Sequence, residues 1–528
     1  MTLGAMQSYA LTLDKFIDHA AKWHGATQIV TGGGIAAARA SYVTVRDRAC
    51  RLSGALAALG LQAGDNVGTL AWNSQSHVEC WFGAMGAGIV CHTLNPRLSA
   101  PHLAAMIRQA GDRVLAVSPG LAALVEDLID QCPCIEHVIV LAEPGVSAPG
   151  PRRDRVRIWD YETLLEEHGA PGVWGGFDEN APAGLCFTSG TTGDPKGVTY
   201  THRSNYLETM HLLQADALGI TARDVVMVSV PMFHANGWGL PFAGAAVGAT
   251  LVLPGRHQDG ASLAGLINRE QVTVAAGVAT VWLALVDHLE ASGEQVPSLQ
   301  RLLLGGSSLP QALMDRLEQR LGVIVQTSWG MTELSPLGTI TPANAPERIA
   351  SKSGRPPLGV DLRLTDENGA PLAEQRGGEG RLWVRGASAV ARYYGQAEAA
   401  TDADGWFDTG DLARIDGAGN LSITGRAKDL IKSGGEWINP GEIEAIVGAL
   451  PEVALVAVIG RADDKWGERP VLIWEPRKGH ALSDEALLAA LRGRIANWWL
   501  PDAIVRVAAM PLAQTGKIDK IRLRADHG

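Results

Sequence analysis

The chain has 528 residues, of which 46% are hydrophobic and 19% are charged, and it carries a formal net charge of −11. This composition is typical of a globular protein rather than a disordered one, and at ~150 residues per domain the length corresponds to several domain-sized units. The acidic balance argues against general binding of nucleic acids or anionic membranes, although a local cluster of basic side chains and N–H groups can still bind phosphate.

Short apolar runs alternate with helical patterns through the first 350 residues or so. Many of these runs end in a glycine-rich turn followed by a helical pattern, which is typical of an α/β fold with largely parallel, buried strands. The sequence predicts strands at Val67–Ala71, Val114–Val117, Val138–Leu141, Leu185–Thr188, Val225–Val230, Thr250–Leu253, Val272–Ala275, Leu302–Leu304 and Val323–Val325.

The glycines at Gly32-Gly-Gly-Ile-Ala-Ala37 fit the pattern of a dinucleotide-binding turn. However, Ser41–Val45 has the composition of a strand. We therefore predict that these glycines turn a β-hairpin and bind no dinucleotide.

The character of the sequence changes near residue 354. Residues 354–425 contain short apolar runs joined by Gly- and Asp-rich turns, which predicts a β-rich subdomain. Beyond Gly425-Arg426 the pattern predicts a compact α+β unit, with the main domain boundary at about residues 426–430. Its predicted elements are a helix capped by Asn439, strands at Val453–Ile459 and Val471–Trp474, a helix from Asp484 to about Ala496, and a strand near Ile504–Val507.

Several features predict a cytoplasmic protein. The spacing of the six cysteines fits neither a zinc site nor a Cys-x-x-Cys motif, so we expect reduced thiols. The N-terminus has no basic segment followed by an apolar one, so we expect no signal peptide. Residues 235–255 carry no charge, but Pro241 and Pro254 interrupt them, whereas a membrane span needs ~20 mainly apolar helical residues. They predict a buried helix followed by a strand, and no membrane span.

The most informative segment is Thr188-Ser-Gly-Thr-Thr-Gly-Asp-Pro-Lys-Gly197, which follows an apolar run. Glycines let a backbone approach an anion closely, hydroxyl and N–H groups donate hydrogen bonds, and Lys196 adds a positive charge. The segment is not a Walker A loop, because Pro195 and Gly197 stand where that motif has glycine and Ser or Thr. Its composition predicts a phosphate-binding loop.

This loop and four later motifs together resemble the acyl-adenylate-forming (AMP-binding) superfamily, which includes acyl-CoA synthetases, aryl-CoA ligases, luciferases and peptide-synthetase adenylation domains. The resemblance covers nearly the whole chain, and the motifs stand in the order of the family. The four motifs are Trp329-Gly-Met-Thr-Glu333, Trp406-Phe-Asp-Thr-Gly-Asp411, Gly425-Arg-Ala-Lys-Asp429 with Lys432-Ser-Gly-Gly435, and Pro511-Leu-Ala-Gln-Thr-Gly-Lys517. Two departures are Trp329, where tyrosine is common, and Leu512-Ala513, where Lys-Thr often stands.

The resemblance implies activation of a carboxylic acid by ATP, with Mg²⁺, followed by transfer of the acyl group to the thiol of CoA. Lys517 is implied as the adenylation lysine, Thr332 as a contact of the α-phosphate, and Glu333 as a ligand of Mg²⁺. Asp411 is implied to accept hydrogen bonds from the ribose, with Arg426 assisting. The ATP and AMP site is implied to include Thr188, Ser189, Gly190, Thr191, Thr192, Gly193, Lys196, Gly306, Ser307, Ser308, Trp329, Gly330 and Met331.

The acyl pocket is implied by Pro231-Met-Phe-His-Ala-Asn-Gly-Trp-Gly239, which has no acidic residue to pair an amino-acid substrate. His234 and Trp238 would form its floor and gate, and Gly305, Gly306 and Pro336 would add to its wall. Lys428 matches the hinge of the family. The adjoining CoA region is implied to include Lys432, Gly434, Gly435 and Glu436.

The implied fold is α/β, with a large domain of stacked sheets at residues 1–427, its β-rich subdomain at 354–425, and a small mobile α+β domain at 428–528. The closest resemblance is to medium-chain fatty acyl-CoA synthetases and 3-methylmercaptopropionyl-CoA ligases, which predicts an acid of four to ten carbons. Aryl acids stay open as substrates. So do a ligase that loads a carrier protein, a luciferase-like oxygenase and a non-catalytic nucleotide-binding protein as classes. Related enzymes are often homodimers.

Overall fold

A computed structural model of the protein describes residues 5–33, 36–143, 155–188, 195–307, 309–434, 436–477, 479–513 and 518–528. The helices are α1 (Asp14–Trp23), α2 (Tyr42–Ala58), α3 (Gln75–Gly86), α4 (Ala100–Ala110), α5 (Ala122–Gln131), α6 (Tyr161–His168), α7 (His202–Leu212), α8 (Leu240–Val247), α9 (Gly260–Glu270), α10 (Ala279–Ser292), α11 (Gln311–Leu321), α12 (Pro440–Gly448), α13 (Asp484–Leu491) and α14 (Lys520–His527).

The strands of the described residues fall into four sheets. In chain order they are β1 (Gln28–Gly33), β2 (Ala36–Ser41), β3 (Asn66–Leu70), β4 (Val90–Thr93), β5 (Val114–Val117), β6 (His137–Val140), β7 (Arg157–Asp160), β8 (Pro182–Thr188), β9 (Lys196–Thr201), β10 (Val225–Val228), β11 (Thr250–Leu253), β12 (Val274–Gly277), β13 (Arg301–Leu304), β14 (Ile324–Gly330), β15 (Leu337–Ile340), β16 (Val360–Thr365), β17 (Glu379–Gly386), β18 (Phe407–Ile415), β19 (Leu421–Arg426), β20 (Ile431–Ser433), β21 (Glu436–Ile438), β22 (Val453–Asp463), β23 (Gly467–Pro476) and β24 (Ala503–Arg506).

Two large, mainly parallel sheets form the body of the protein, as the apolar runs predict. Within the described residues, one sheet has the strand order β15-β14-β13-β12-β10-β11-β1-β2 and the other has β7-β6-β5-β3-β4-β8-β9. The four residues of β5, Val114–Val117, are all buried, since helices cover both faces of such a sheet. One apolar cluster contains residues of both sheets and of α1, α2, α3 and α8, and it includes Trp81 and Phe242 with ring centroids 5.3 Å apart.

Two smaller sheets follow, in agreement with the change of character near residue 354. Strands β16-β17-β18-β19 form an antiparallel sheet that ends at Arg426. The next sheet begins at Ile431 with β20 and has the order β21-β20-β23-β22, with β24 paired to β23. Asn439 caps α12 by accepting a hydrogen bond from the Gly441 N–H, as predicted.

Some element predictions need correction. The hairpin of β1 and β2 is confirmed, but Ser41–Val45 is no strand, because the Ser41 hydroxyl accepts a hydrogen bond from the Thr44 N–H and so caps α2. Tyr42 and Val45 are buried one helical turn apart, a spacing that the short β-branched run hides. The helix from Asp484 ends at Leu491 and does not reach Ala496, because Arg492 takes an extended backbone conformation.

The uncharged segment at residues 235–255 forms a 3₁₀ turn, helix α8 and strand β11, as the interrupting prolines predict. Helix α8 has eight residues, and most of them are buried. Among the described residues, no helix combines the length and the apolar character that crossing a membrane requires.

Candidate active site

The predicted phosphate loop joins two antiparallel strands at the end of the second large sheet. Thr188 ends β8 and pairs with Lys196, the first residue of β9. The Thr188 hydroxyl donates to the Lys196 carbonyl oxygen at 3.3 Å. Both ends of the loop are therefore anchored on one hairpin, while residues 189–194 lie outside the described residues.

Three side chains form a row in space beside this hairpin: a cation, an aromatic ring and a carboxylate. The Lys196 ammonium lies 5.0 Å from the ring centroid of Tyr393, and the Tyr393 hydroxyl donates to Glu333 Oε1 at 3.0 Å. The neighbouring Tyr394 N–H donates to the Gly197 carbonyl oxygen at 2.7 Å. These contacts join the loop hairpin to the Trp-Gly-Met-Thr-Glu motif through a segment that the sequence did not single out. Its only signal is that two of the chain's seven tyrosines stand side by side.

Glu333 is a buried carboxylate next to two cations. It lies in a 3₁₀ turn, Thr332–Leu334, whose position is fixed because the Tyr200 hydroxyl donates to the Thr332 carbonyl oxygen at 2.9 Å. Burial raises the pKa of Glu333, and the hydrogen bond from Tyr393 and the charges of Arg426 and Lys196 act in the opposite direction. A cavity of about 690 Å³ lies against Glu333, β9 and residues 387–396. Glu333 therefore lies against a cavity next to the hairpin that anchors the predicted phosphate loop.

The second cluster joins three motifs that are far apart in the sequence. The Trp329 indole N–H donates to Asp411 Oδ2 at 2.9 Å, and Arg426 Nε lies 2.7 Å from Asp411 Oδ1. Asp411 and Arg426 are cross-strand partners on β18 and β19. Asp411 is 1% exposed. The indole and the guanidinium bind its two oxygens and so fix the orientation of the carboxylate. The carboxylate is thus placed beside an indole ring, as a site for a nucleoside requires.

We expect the Asp411→Asn variant to lower kcat/KM for ATP about 10- to 100-fold, the value of one charge-assisted hydrogen bond of about 1.5–3 kcal/mol. The Arg426 guanidinium would lose its charged partner, and the amide could accept from the Trp329 indole at one oxygen only. Steady-state rates with varied ATP measure the effect. Asp408→Asn is the matched control, because Asp408 lies on the same strand and pairs with Arg381. Equal losses in both variants would contradict the assignment.

Trp238 lies against the glycines that follow β13. A Cβ atom added at Gly305 would lie 3.3 Å from the Trp238 ring, and one added at Gly306 would lie 3.6 Å from it. Gly306 has φ +76°, a backbone conformation that favours glycine, and Ser307 beside it is exposed. His234 lines a small cavity of about 20 Å³ with Phe187 and Phe233. The structure thus brings Trp238 and the two glycines together.

Pro336 packs against the chain that follows Trp329. The Met331 N–H donates to the Pro336 carbonyl oxygen at 3.0 Å. A Cβ atom at Gly330 would come within 2.1 Å of the same oxygen, so the close approach of these two segments requires glycine there. Gly330, Met331 and Pro336 therefore form one compact turn beside Thr332.

The residues predicted to contact CoA lie on the five-stranded sheet. Lys432 and Glu436 stand on the paired strands β20 and β21, and the Lys432 ammonium lies 5.5 Å from the ring centroid of Trp437. Gly434, at the turn between them, has φ +62°, and a Cβ atom there would lie 2.8 Å from the Trp466 ring. This turn therefore has little space for any side chain at position 434.

Lys428 lies in the 3₁₀ turn Ala427–Asp429, between the four-stranded and the five-stranded sheets. Burial lowers the pKa of Lys428; Asp429 opposes this effect, and the nearby Arg426 and Arg524 add to it. Several further predicted site residues lie outside the described residues: Ser189, Gly190, Thr191, Thr192, Gly193, Ser308, Gly435 and Lys517.

Comparison with known families and proteins shows the family and the fold. Residues 16–394 match the family of AMP-binding enzymes, and residues 442–517 match the AMP-binding enzyme C-terminal domain. The structure of an anthranilate CoA ligase in complex with anthranoyl-AMP superposes with a TM-score of 0.87 at 25% identity, over 98% of each chain. ATP-bound MatB from Rhodopseudomonas palustris gives a TM-score of 0.84 at 25% identity, over 98% of this chain and 99% of that one.

Two relatives match over nearly their whole length. A 3-methylmercaptopropionyl-CoA ligase of Ruegeria lacuscaerulensis is 40% identical over 538 residues, which cover 99% of this chain and 98% of that protein. A medium-chain-fatty-acid–CoA ligase of Ectopseudomonas oleovorans is 38% identical over 541 residues, which cover 100% and 98%. The resemblance that the motifs indicate is confirmed. The chain belongs to the family of AMP-binding enzymes, and it is an acid–thiol ligase.

Proposed function

We propose that the enzyme is an AMP-forming acyl-CoA synthetase that acts on unbranched carboxylic acids of four to ten carbons. A carboxylate oxygen of the acid attacks the α-phosphorus of ATP, and the bond to pyrophosphate breaks. The CoA thiol then attacks the carbonyl carbon of the acyl-adenylate, and AMP leaves. The observation that carries the proposal is the convergence of Lys196, Glu333, Asp411 and Arg426 around Tyr393 and Trp329.

The two clusters suit the two ends of ATP. Trp329 offers an aromatic face to adenine, and the Asp411 carboxylate, held by Arg426, offers acceptors to the ribose hydroxyls. The Lys196 ammonium can neutralise the β- and γ-phosphates, which carry the leaving charge in the first step. In this proposal Lys517 supplies the cation between the acid and the α-phosphate.

Magnesium fits the donors that are present. Mg²⁺ is commonly bound through one or two carboxylates together with substrate phosphates and water, rather than by an all-protein cage. The described residues contain no group of three or more His, Cys, Asp and Glu that could hold a metal, and Glu333 offers one carboxylate beside the phosphate loop hairpin. Mg²⁺ would draw negative charge from the phosphate oxygens.

We propose that residues 1–427 act as one body and residues 428–528 as a mobile domain, with the hinge at Lys428. Two ion pairs on either side of this residue support the assignment. Arg426 is tied to Asp411 in the four-stranded sheet, whereas Asp429 Oδ1 accepts from Arg524 Nη2 at 2.7 Å on helix α14. Arg426 and Asp429 are therefore anchored in different units, which supports a rotation about the residues between them.

The acid is proposed from the relatives and from the pocket residues. The relatives described above are named for a medium-chain fatty acid and for 3-methylmercaptopropionate, both of them unbranched acids. A second candidate is an aryl acid, which the likeness to the anthranilate CoA ligase favours. The cytoplasmic location and the homodimer that the resemblance implies stay predictions.

One assay tests the proposal. Purified protein is given ATP, Mg²⁺ and CoA with acetate, butanoate, hexanoate, octanoate, decanoate, 3-methylmercaptopropionate, cinnamate or an amino acid, and AMP release is measured. We expect the highest kcat/KM between butanoate and decanoate, and a clear preference for an aryl acid or an amino acid would contradict the proposal. Acid-dependent exchange of labelled pyrophosphate into ATP separates an enzyme from a nucleotide-binding protein. AMP release that requires CoA separates a CoA ligase from a carrier-protein ligase.

Trp238 provides a specificity test for the same pocket. We expect the Trp238→Ala variant to change the ratio of kcat/KM for decanoate over butanoate about 10-fold in favour of decanoate, because removing the indole opens space against Gly305 and Gly306. Trp23→Ala is the matched control, since Trp23 is 65% exposed. An unchanged ratio in the Trp238 variant would place the acyl chain elsewhere.

A further inference from the structure

A buried carboxylate that no motif includes lies behind the predicted acyl pocket. Glu208 on helix α7 is 1% exposed, and its Oε1 atom has no hydrogen-bond partner. Asn205, one turn earlier on the same face of the helix, is equally buried, and its Nδ2 atom also has none. Buried polar groups are nearly always hydrogen-bonded, so two such atoms on one face of α7 point to a functional constraint on this helix.

Asn205 and Glu208 contact a first wall of the predicted pocket, the turn that follows His234. Residues 235–239 all have positive φ, between 44° and 71°, which is costly for Ala235, Asn236 and Trp238 because they carry a Cβ atom. The Asn236 side chain donates to Asn205 Oδ1 at 3.2 Å. Such a turn persists only where its surroundings hold it, and Asn205 provides one of these contacts.

Glu208 closes the same turn at its other end. A Cβ atom added at Gly239 would lie 2.5 Å from Glu208 Oε2, so the carboxylate packs directly on the Gly239 backbone. Position 239 therefore requires glycine for two reasons, its φ of +71° and the presence of Glu208. The residue before it, Trp238, is the predicted gate of the pocket.

The second wall is reached by the same carboxylate. The backbone N–H of Leu337 lies beside the Glu208 carboxylate. Leu337 follows Pro336, the other predicted wall residue, and pairs with Gly330 across β14 and β15. Burial raises the pKa of Glu208 well above its usual range, and the Leu337 N–H opposes this effect. One side chain thus contacts the residues next to both Trp238 and Pro336.

We propose that Glu208, with Asn205, is a positioning residue pair that holds the Trp238–Gly239 and Pro336–Leu337 walls of the acyl pocket at a fixed separation and thereby sets which acids fit. The inference rests on the proposed function, because that function makes these two segments the walls of the acyl pocket. Helix α7 would then take part in substrate selection, although it lies outside the acyl-pocket motif.

The test compares two substitutions at one position. Glu208→Gln keeps two polar side-chain atoms at the same positions, whereas Glu208→Leu keeps a similar volume and removes both. For each variant, KM for the acid, KM for ATP and the ratio of kcat/KM for decanoate over butanoate are measured. We expect the leucine variant to raise KM for butanoate and to change the ratio about 10-fold, with KM for ATP changed by less than about 2-fold. We expect the glutamine variant to stay within about 2-fold of the wild type in all three quantities.

Two further variants keep the test decisive. Asn236→Ala removes the contact with Asn205 and should change the acid ratio in the same direction, even if the Glu208→Leu protein does not fold. Glu79→Gln is the matched control, because Glu79 is a fully buried carboxylate bound by Arg48 and Tyr161 in another part of the core. It should lower the unfolding temperature without changing the acid ratio.

Several results would overturn the inference. One is an unchanged acid ratio in folded Glu208→Leu and Asn236→Ala proteins, another is an equal rise in KM for acid and for ATP, and a third is a glutamine variant as altered as the leucine variant. A wild-type protein that releases no AMP with any acid overturns the proposed function and this inference with it. An active wild type with unaltered variants overturns the inference alone.

Discussion

The Lys517→Ala variant should lose the formation of acyl-adenylate while it keeps thioester formation from an acyl-adenylate that is supplied to it. The lysine is proposed to neutralise charge between the acid and the α-phosphate, and that charge develops only in the first step. Removing one such donor typically lowers the rate about 10²–10³-fold. In the proposed mechanism the C-terminal domain rotates before the second step and brings a different set of contacts to the site, so we expect that step to change by less than about 3-fold.

Two assays separate the steps. Pyrophosphate exchange reports adenylation, and release of AMP from synthetic hexanoyl-adenylate with CoA reports thioester formation. Arg522→Ala is the matched control, because Arg522 lies near Lys517 in sequence but its side chain is 70% exposed and pairs with Asp526, one helical turn away. If both steps fall equally in the Lys517→Ala variant, rotation of the domain between the steps is wrong.

The second large effect is expected at Glu333. We expect the Glu333→Gln variant to lower kcat about 10²-fold, because the amide carries no charge for Mg²⁺ and the metal would be less well held on the phosphates. Tyr393 can still donate to the amide oxygen, so the local packing should survive. Titration of Mg²⁺ at saturating ATP measures the change as a higher metal requirement. Glu318→Gln is the control. Glu318 lies on α11, and its carboxylate pairs with Arg348.

The pKa of Glu333 gives the same residue a pH signature. Protonation would remove the charge that the proposed Mg²⁺ site needs, and burial raises the pKa of Glu333 above the ordinary value of 4.5. The rate at limiting Mg²⁺ should therefore fall as the pH is lowered, and the fall should begin at a higher pH than for an exposed glutamate. Saturating Mg²⁺ should move the fall to lower pH, since the metal favours the carboxylate. If the rate of the Glu333→Gln variant falls at the same low pH as that of the wild type, the fall belongs to the protonation of another group.

The sequence predicts the two large sheets well because their strands are buried on both faces and appear as uninterrupted apolar runs, as at Val114–Val117. It fails where a short run satisfies two patterns. Ser41–Val45 has the β-branched content of a strand, but the serine hydroxyl caps a helix, and only the burial of Tyr42 and Val45 distinguishes the two.

The site shows the same division. Motifs identify Trp329, Asp411 and Arg426 individually, yet the hydrogen bond from the Trp329 indole to Asp411 spans 82 positions and has no local signal. Tyr393 stands in none of the five motifs, although its hydroxyl donates a hydrogen bond to Glu333. Glu208 is still harder to find, because a glutamate in a helix is ordinarily a solvated residue and its closeness to Gly239 and Leu337 has no local signal in the sequence.

The contact between Trp238 and Gly305 has a consequence for how substrate range can diverge among descendants of this enzyme. A methyl group at position 305 would lie 2.5 Å from the Ser328 hydroxyl and 3.3 Å from the indole, so both side chains would have to shift. A glycine codon becomes an alanine codon by one base change. If Trp238 lines the acyl pocket as proposed, a single base change in codon 305 would therefore alter the space beside the indole and with it the acids that fit.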